Sequence, residues 1–476
     1  MSNRASLSTA TSAMILVGVL VATSAWGKPP VPTPTVTGPI ASAAPDGNPE
    51  HDYPFFADAQ WLARYGYVEE EFFLAGSANR YDRESGEIVD GGHEYKTRLL
   101  VRRPASQEDF NGVVGLEWEN VTAGYDLDFM WSSQRRHFVA EGYAWVGISA
   151  QRVGVRALRE WSPKRYGTLD VEAGGEITDD SLSYDIFAQA ARSLRQRSGV
   201  DPMGGLEVEI VLGEGASQSA GRLVPFYNLA QPHYEPVIDV LFLAIGGGDT
   251  RTDSPIPVFR MLTETDVLSS LRRNRTRQPD TDMHRLWEVA GTSHSGWIGF
   301  LERQAVYERD HGRPLAVPPC DDPAYARIPA EKVYASIHTH MVRWVRSGTP
   351  PPIAPRLTRG NEGLVRDQHG NAEGGIQLAE HAVPTAMNSG ANTGDRFCRL
   401  YGSHQPFSES TLANLYPTHR EYVEKVSAAT WANVEAGYVL PRDAAATEER
   451  ATHSKIGALG EVGRLAHRSD FPEKGI

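Results

Sequence analysis

Three short segments of this chain carry the residue types that nucleophilic catalysis requires, each just past an apolar run. The run Leu206–Leu212 reads as a strand. It is followed by Gly213-Glu-Gly-Ala-Ser217-Gln-Ser-Ala-Gly221, a sharp turn leading into a helix. Such a turn pushes the Ser217 hydroxyl clear of the sheet edge. Small neighbours (Gly215, Ala216, Ser219, Ala220) let strand and helix close around it. The backbone N–H of Gln218, at a helix N-terminus, can bind an oxyanion. Ser219 is the rival nucleophile, and Gly215, two residues before Ser217, favours Ser217. Taken alone, the segment also reads as an ordinary Gly/Ser-rich loop. The second run, Pro257–Leu262, is followed by Thr263-Glu264-Thr265-Asp266, and the third, Leu286–Ala290, by Gly291-Thr-Ser-His294. A serine hydroxyl is a weak nucleophile until an imidazole takes its proton, and the imidazole must be held in one tautomer by a carboxylate. Ser217, His294 and one of two acids fit these roles. Asp266, four residues past its strand, is preferred, with Glu264 as the alternative acid and the other carboxylate left to cap a turn.

The elements that must position these groups alternate between strand and helix. Thr97–Arg102, Gly112–Glu117, Tyr143–Ser149 and Val237–Ile245 read as further strands. Ser181–Ser198 reads as a helix, with Tyr184, Phe187, Ala188, Ala191 and Leu194 at helical spacing. Gly221 to about Leu229 forms the body of another, opened near Ser217. This alternation predicts an α/β fold, a mostly parallel sheet with helices on both faces. In such sheets the reactive site lies beyond the carboxyl ends of the strands.

The order Ser, acid, His, with the turn at Ser217, resembles the α/β-hydrolase pattern, although Ser219 stands where a glycine usually closes the turn. The likeness extends to a bacterial group of secreted α/β-hydrolase-domain proteins. It is carried by Leu116-Glu-Trp-Glu-Asn-Val-Thr122, Gly142-Tyr-Ala-Trp-Val-Gly-Ile-Ser-Ala-Gln151, Arg165-Tyr-Gly-Thr-Leu169, Ser217-Gln-Ser-Ala-Gly-Arg-Leu223, Trp287-Glu-Val-Ala-Gly-Thr-Ser-His294, Asp367-Gln-His-Gly-Asn371 and Tyr416-Pro-Thr-His419. The resemblance implies a serine hydrolase acting on carboxylic esters through an acyl-enzyme, with no cofactor and no metal. An acyltransferase using the same intermediate, or a non-catalytic binder on this fold, are the alternatives. A second oxyanion donor usually follows the third strand of the fold, in a His-Gly-Gly stretch. Here Glu117-Trp118-Glu119-Asn120 occupies that place, so the backbone N–H of Trp118 or Asn120 is the expected donor. Arg222 is expected either to brace the site through a carboxylate or to form an ordinary ion pair.

The remaining features bound the organisation. Residues 1–27, with Arg4, the apolar run Met14–Ala22 and Ala25-Trp-Gly27, read as a signal peptide, cleaved on export to the periplasm or the cell exterior, with an uncleaved N-terminal anchor as the alternative. The Pro-rich stretch 28–50 reads as an extended, mobile linker. Residues 51–310 are expected to hold the hydrolase core, and 311–476 to form a C-terminal extension that wraps the core and walls part of the cleft, with a separate binding module following the hydrolase as the alternative. Within the extension, Ala330–Ser347, Glu409–Leu415 and His419–Gly437 read as helices and 360–394 as mostly loop. The segment between Ile245 and Pro257 is too short for a cap domain. The two cysteines, Cys320 and Cys398, read as one disulfide in an exported protein, with a pair of buried thiols as the alternative. His338-Thr-His340 in a helix points its rings apart and makes a poor metal pair. A net charge of −13 argues against nucleic-acid binding. No run after residue 27 reaches the length, about 18 residues, of a membrane span. The expected partner is a small-molecule ester.

Overall fold

A computed structural model describes residues 27–458, except 46, 47, 49, 83 and 362. The expected signal segment, apart from Gly27, and residues 459–476 of the extension therefore lie outside the described residues. A nine-stranded sheet runs through the molecule, in the order β1-β2-β3-β5-β4-β6-β7-β8-β9. Its strands are β1 (Thr35–Thr37), β2 (Tyr67–Tyr81), β3 (Ile88–Pro104), β4 (Val113–Trp118), β5 (Ala144–Ile148), β6 (Ile210–Ala216), β7 (Val240–Ala244), β8 (Val258–Thr263) and β9 (His284–Val289). From β5 through β9 every neighbouring pair is parallel, while β1, β2 and β3 join antiparallel. Every residue of β4 through β9 is buried, as a sheet covered on both faces requires. On one face the core joins Val211, Leu241 and Leu243 to Phe187 and Leu223 of the helices Ser183–Ser193 and Gln218–Pro225. On the other, Phe242, Phe259 and Trp287 meet Met130 and Phe138 of the helix Phe129–Glu141 and Val333, Ile337 and Met341 of Ala330–Ser347.

Several elements differ from the sequence expectation. The 28–50 stretch is extended but is not a free linker. Val36 is buried, pairs with Leu74 of β2 and on its other side exchanges backbone bonds with Ser198 and Val200, and the prolines at 34 and 39 lie outside the three paired residues Thr35–Thr37. The strand expected at Leu206–Leu212 sits four residues later, so Gly213 and Gly215 lie inside it. Both glycines are needed there. A Cβ at Gly213 would come within 2.8 Å of Ile238, and one at Gly215 within 2.9 Å of Leu223. The long β2–β3 hairpin was legible only as Thr97–Arg102. In β2, buried charges conceal the strand pattern: Glu71 accepts from Arg98 at 2.6 Å and Arg165 at 2.5 Å, and Glu69 accepts at 2.8 Å from Arg102, which also donates to Asp128 at 2.6 Å. Each charge is paired, which is what makes its burial tolerable. The Gln218–Pro225 helix continues past Pro225 as a π-turn, Phe226–Ala230.

In the extension, the helices Ala330–Ser347 and Glu409–Leu415 fall where the sequence placed them. The third runs His419–Glu435. The stretch read as mostly loop contains the strand Ala386–Ser389, paired antiparallel with Ser403–Pro406. Within the Ala330–Ser347 helix, His338 bonds Glu214 of β6 at 2.8 Å and His340 bonds the Gly437 carbonyl at 2.8 Å. The extension thus covers one face of the sheet.

Cys320 and Cys398 are joined, their Cα atoms 5.5 Å apart across 78 residues of sequence. Closing a loop of that length restricts the unfolded chain and is worth about 3–5 kcal/mol in the chain-entropy account. The variant Cys398→Ser is expected to lose stability of that order. Chemical denaturation should find wild type with reductant and the variant without it at a similar midpoint, both below the oxidised wild type.

Candidate active site

The chain leaves β6 and enters the Gln218–Pro225 helix through a single residue, Ser217, held at φ 57° and ψ −110°. A non-glycine residue at positive φ is strained, and such strain persists only where the surrounding structure enforces it. Here the enforcement is visible. Ser217 N donates to the Ala244 carbonyl of β7 at 2.9 Å, and Gly246 packs so tightly that a Cβ there would meet the Ser217 carbonyl at 2.8 Å. Ser219 is fully buried. Its hydroxyl donates to the Ala216 carbonyl and accepts from the Ala216 amide, both at 2.9 Å, and so ties down the turn.

His294 follows β9 and reaches the Ser217 hydroxyl with Nε2 at 2.7 Å. Its Nδ1 lies 2.6 Å from Asp266 Oδ1. Asp266 sits in the first turn of the helix Glu264–Arg272, whose N-cap is Thr263. The second carboxylate oxygen of Asp266 accepts from the Thr263 backbone N–H at 3.0 Å and from its hydroxyl. This reciprocal cap fixes the carboxylate, leaving one oxygen for the helix and the other for the histidine. The Thr263-x-x-Asp266 spacing carries that signal in the sequence, although no helix was expected there.

Glu264 points elsewhere. It is fully buried, and its carboxylate accepts from the backbone N–H of Gly291 at 2.9 Å and of Gly390 at 3.0 Å, and from Arg366 at 2.7 Å. Thr265 continues the same seam. It donates to the Gly390 carbonyl at 2.6 Å and accepts from the His294 amide at 3.2 Å. Ser295 N donates to the Leu400 carbonyl at 2.8 Å. The C-terminal extension therefore clamps the two loops that carry Asp266 and His294. None of these clamping contacts was legible in the sequence, because each partner lies far along the chain.

Gln218 is the first residue of its helix, so its amide has no acceptor within that helix. Of the two residues expected to supply a second donor, Trp118 ends β4 in register with Ile148, its indole donating to Gln151 at 3.1 Å. The Asn120 amide donates to the Leu127 carbonyl at 3.2 Å. The expectation for Asn120 is therefore corrected, since its amide is already engaged. Its side chain instead donates to the Ala216 carbonyl at 2.7 Å, tying the loop to the residue before Ser217. The next amide, Val121, faces the Gln218 side chain at the longer distance of 3.4 Å. Arg222 forms an ion pair with Asp180 at 2.9 Å, Asp180 accepts from Gln151, and Gln151 accepts from the Gln218 side chain, so the pair is linked to the turn after Ser217.

A family model described as an alpha/beta hydrolase domain matches residues 36–449. The chain belongs to that alpha/beta hydrolase domain family. No curated protein sequence matches the chain. Among solved structures, the esterase Est22 is 12% identical, with 53% of this chain and 82% of that chain covered and a TM-score of 0.31. The serine hydrolase XC6422 from Xanthomonas campestris is 14% identical, covering 52% and 97% at a TM-score of 0.27. A dienelactone hydrolase from Anabaena variabilis is also 14% identical, covering 50% and 98% at 0.28.

One further acid adjoins the histidine loop of this alpha/beta hydrolase. Glu331, in the first turn of Ala330–Ser347, packs so close to Gly296 that a Cβ there would be 3.0 Å from its carboxylate. Burial pushes its pKa up to about 7, against a smaller opposing effect of hydrogen bonds from its own amide and that of Gly299. The native state therefore holds this proton more tightly than the unfolded chain. Glu331 contributes stability at low pH that is lost as pH rises from about 4.5 toward 7, worth about 3 kcal/mol at most. The variant Glu331→Gln is expected to flatten that loss, and urea denaturation of both proteins at pH 5 and pH 8 measures it.

Proposed function

We propose that this protein hydrolyses carboxylic esters through a serine acyl-enzyme, with Ser217, His294 and Asp266 as the catalytic residues. The observation that carries the proposal is the unbroken hydrogen-bonded line from the Ser217 hydroxyl through His294 to Asp266. Each residue follows the end of its own parallel strand, and the serine is held in a strained turn. In the reaction, Ser217 Oγ attacks the ester carbonyl while His294 Nε2 takes its proton. Asp266 stabilises the imidazolium and holds its tautomer. The oxyanion forms against the Gln218 amide, and the Val121 amide becomes the second donor, in place of Asn120, by exchanging its 3.4 Å contact with the Gln218 side chain for the oxyanion. Collapse breaks the ester C–O bond, and the alkoxide leaves with the proton from His294. Water then attacks the acyl-serine, giving its proton to the same nitrogen, and Ser217 is regenerated with release of the acid.

The Cys320–Cys398 bridge supports an exported protein, since such bonds persist in oxidising compartments. Among the described residues no helix is long and apolar enough to cross a membrane. A series of p-nitrophenyl esters of increasing acyl length tests the proposal. Saturable release of p-nitrophenol, with a burst when deacylation is slow, is the expected result. Failure to hydrolyse any member or to react with a fluorophosphonate would reject it.

A further inference from the structure

Away from Ser217, a cavity of about 340 Å³ opens between the end of the Glu264–Arg272 helix, the segment after β7 and residue 359 of the extension. Its lining includes four arginines, Arg260, Arg275, Arg277 and Arg359, and one acid, Asp249, with Ser270 and Asn274 beside them. On a chain of net charge −13, this is a local concentration of the opposite sign.

The acids at hand do not neutralise it. Glu288 is committed to Arg277 in a two-pronged pair, both contacts 2.7 Å, and it also accepts the Leu357 amide. Asp249 approaches Arg260 only to 4.0 Å, while Arg260 Nε donates to the Gly246 carbonyl. Arg359 Nε is buried with no hydrogen-bond partner among the described residues. Neither Arg275 nor Arg359 forms an ion pair among those residues. Burial, and then the neighbouring Arg277, hold the Arg359 guanidinium below its usual pKa. Burial and the nearby Arg275 do the same for Arg260, against the opposing pull of Asp249 and Asp266. Guanidinium groups gathered at this density carry mutual repulsion that a bound dianion would relieve, and their planar forks match tetrahedral oxyanions.

We propose that this cavity is a binding site for a phosphate-type oxyanion, separate from the candidate active site. The donors would be Arg260, Arg275 and Arg359, with Arg277 held in place by Glu288. Either the free anion or the phosphoryl group of a small organic molecule satisfies this chemistry. Isothermal titration of the full chain with inorganic phosphate, and separately with glycerol phosphate, tests the site at constant ionic strength against a chloride control. Saturable binding is expected, weakened about tenfold or more in Arg359→Gln and in Arg275→Gln. The Arg275 side chain is exposed, so its loss should leave the fold intact, as circular dichroism would show. Tighter binding of glycerol phosphate assigns the group to a larger ligand, and tighter binding of phosphate assigns it to the free anion. Absence of saturable binding by wild type, or equal affinity in wild type and the folded Arg275→Gln variant, overturns the proposal.

Discussion

Replacing Ser217 with alanine is expected to lower ester turnover by about a thousandfold or more while leaving the fold intact. The hydroxyl at this position is the one that His294 Nε2 reaches at 2.7 Å, and no other side chain can take over its place in the strained turn. Ser219, two residues on, is the informative control. Its hydroxyl is saturated by the Ala216 amide and carbonyl and fully buried, so it can neither meet a substrate nor pass a proton to His294. The variant Ser219→Ala should keep substantial turnover and lose about 1 kcal/mol of stability, the ordinary cost of a removed hydrogen bond. Steady-state kinetics beside thermal denaturation separates the two variants. A dead Ser219 variant with an active Ser217 variant would move the nucleophile.

The second large effect divides the two acids. Asp266→Asn should lower turnover on the order of 10³–10⁴-fold, because an amide cannot stabilise the imidazolium and favours the wrong tautomer of His294. Glu264→Gln should leave turnover near normal and instead cost stability. Its carboxylate holds the Gly291 and Gly390 amides and Arg366 together, fastening the extension to the core. Breaking a fully buried ion pair costs about 3–5 kcal/mol, and the Arg366 side chain, 30% exposed, reduces that to about 2–3 kcal/mol. Kinetics together with denaturant midpoints should place each variant on a different axis. A crippled Glu264→Gln with a normal Asp266→Asn would exchange the roles.

The candidate site was legible where its chemistry depends on side chains placed just after strands. Ser217, Asp266 and His294 each follow an apolar run, and their order along the chain limits how a parallel sheet can bring them together. What escaped the sequence has physical reasons. The roles of Glu264 and Thr265 in anchoring the extension depend on Gly390, a partner brought near only by folding. The strand β2 was hidden because Glu69 and Glu71, which face Arg102 and Arg98 of β3, occupy interior positions that an apolar pattern would assign to the surface. Their mutual pairing is what permits this. Val36 was read as part of a linker because prolines surround it, and the strand it forms, Thr35–Thr37, is short enough to fit between Pro34 and Pro39.

The central claim is that Ser217 becomes acylated with His294 as its base. The most direct measurement is reaction of the full chain with a fluorophosphonate, followed by digestion and mass mapping of the adduct. One phosphonate on the Ser217 side chain, lost in Ser217→Ala and strongly slowed in His294→Ala, is the result this mechanism requires. An adduct on Ser219 or any other residue, or labelling at an unchanged rate in His294→Ala, would contradict it.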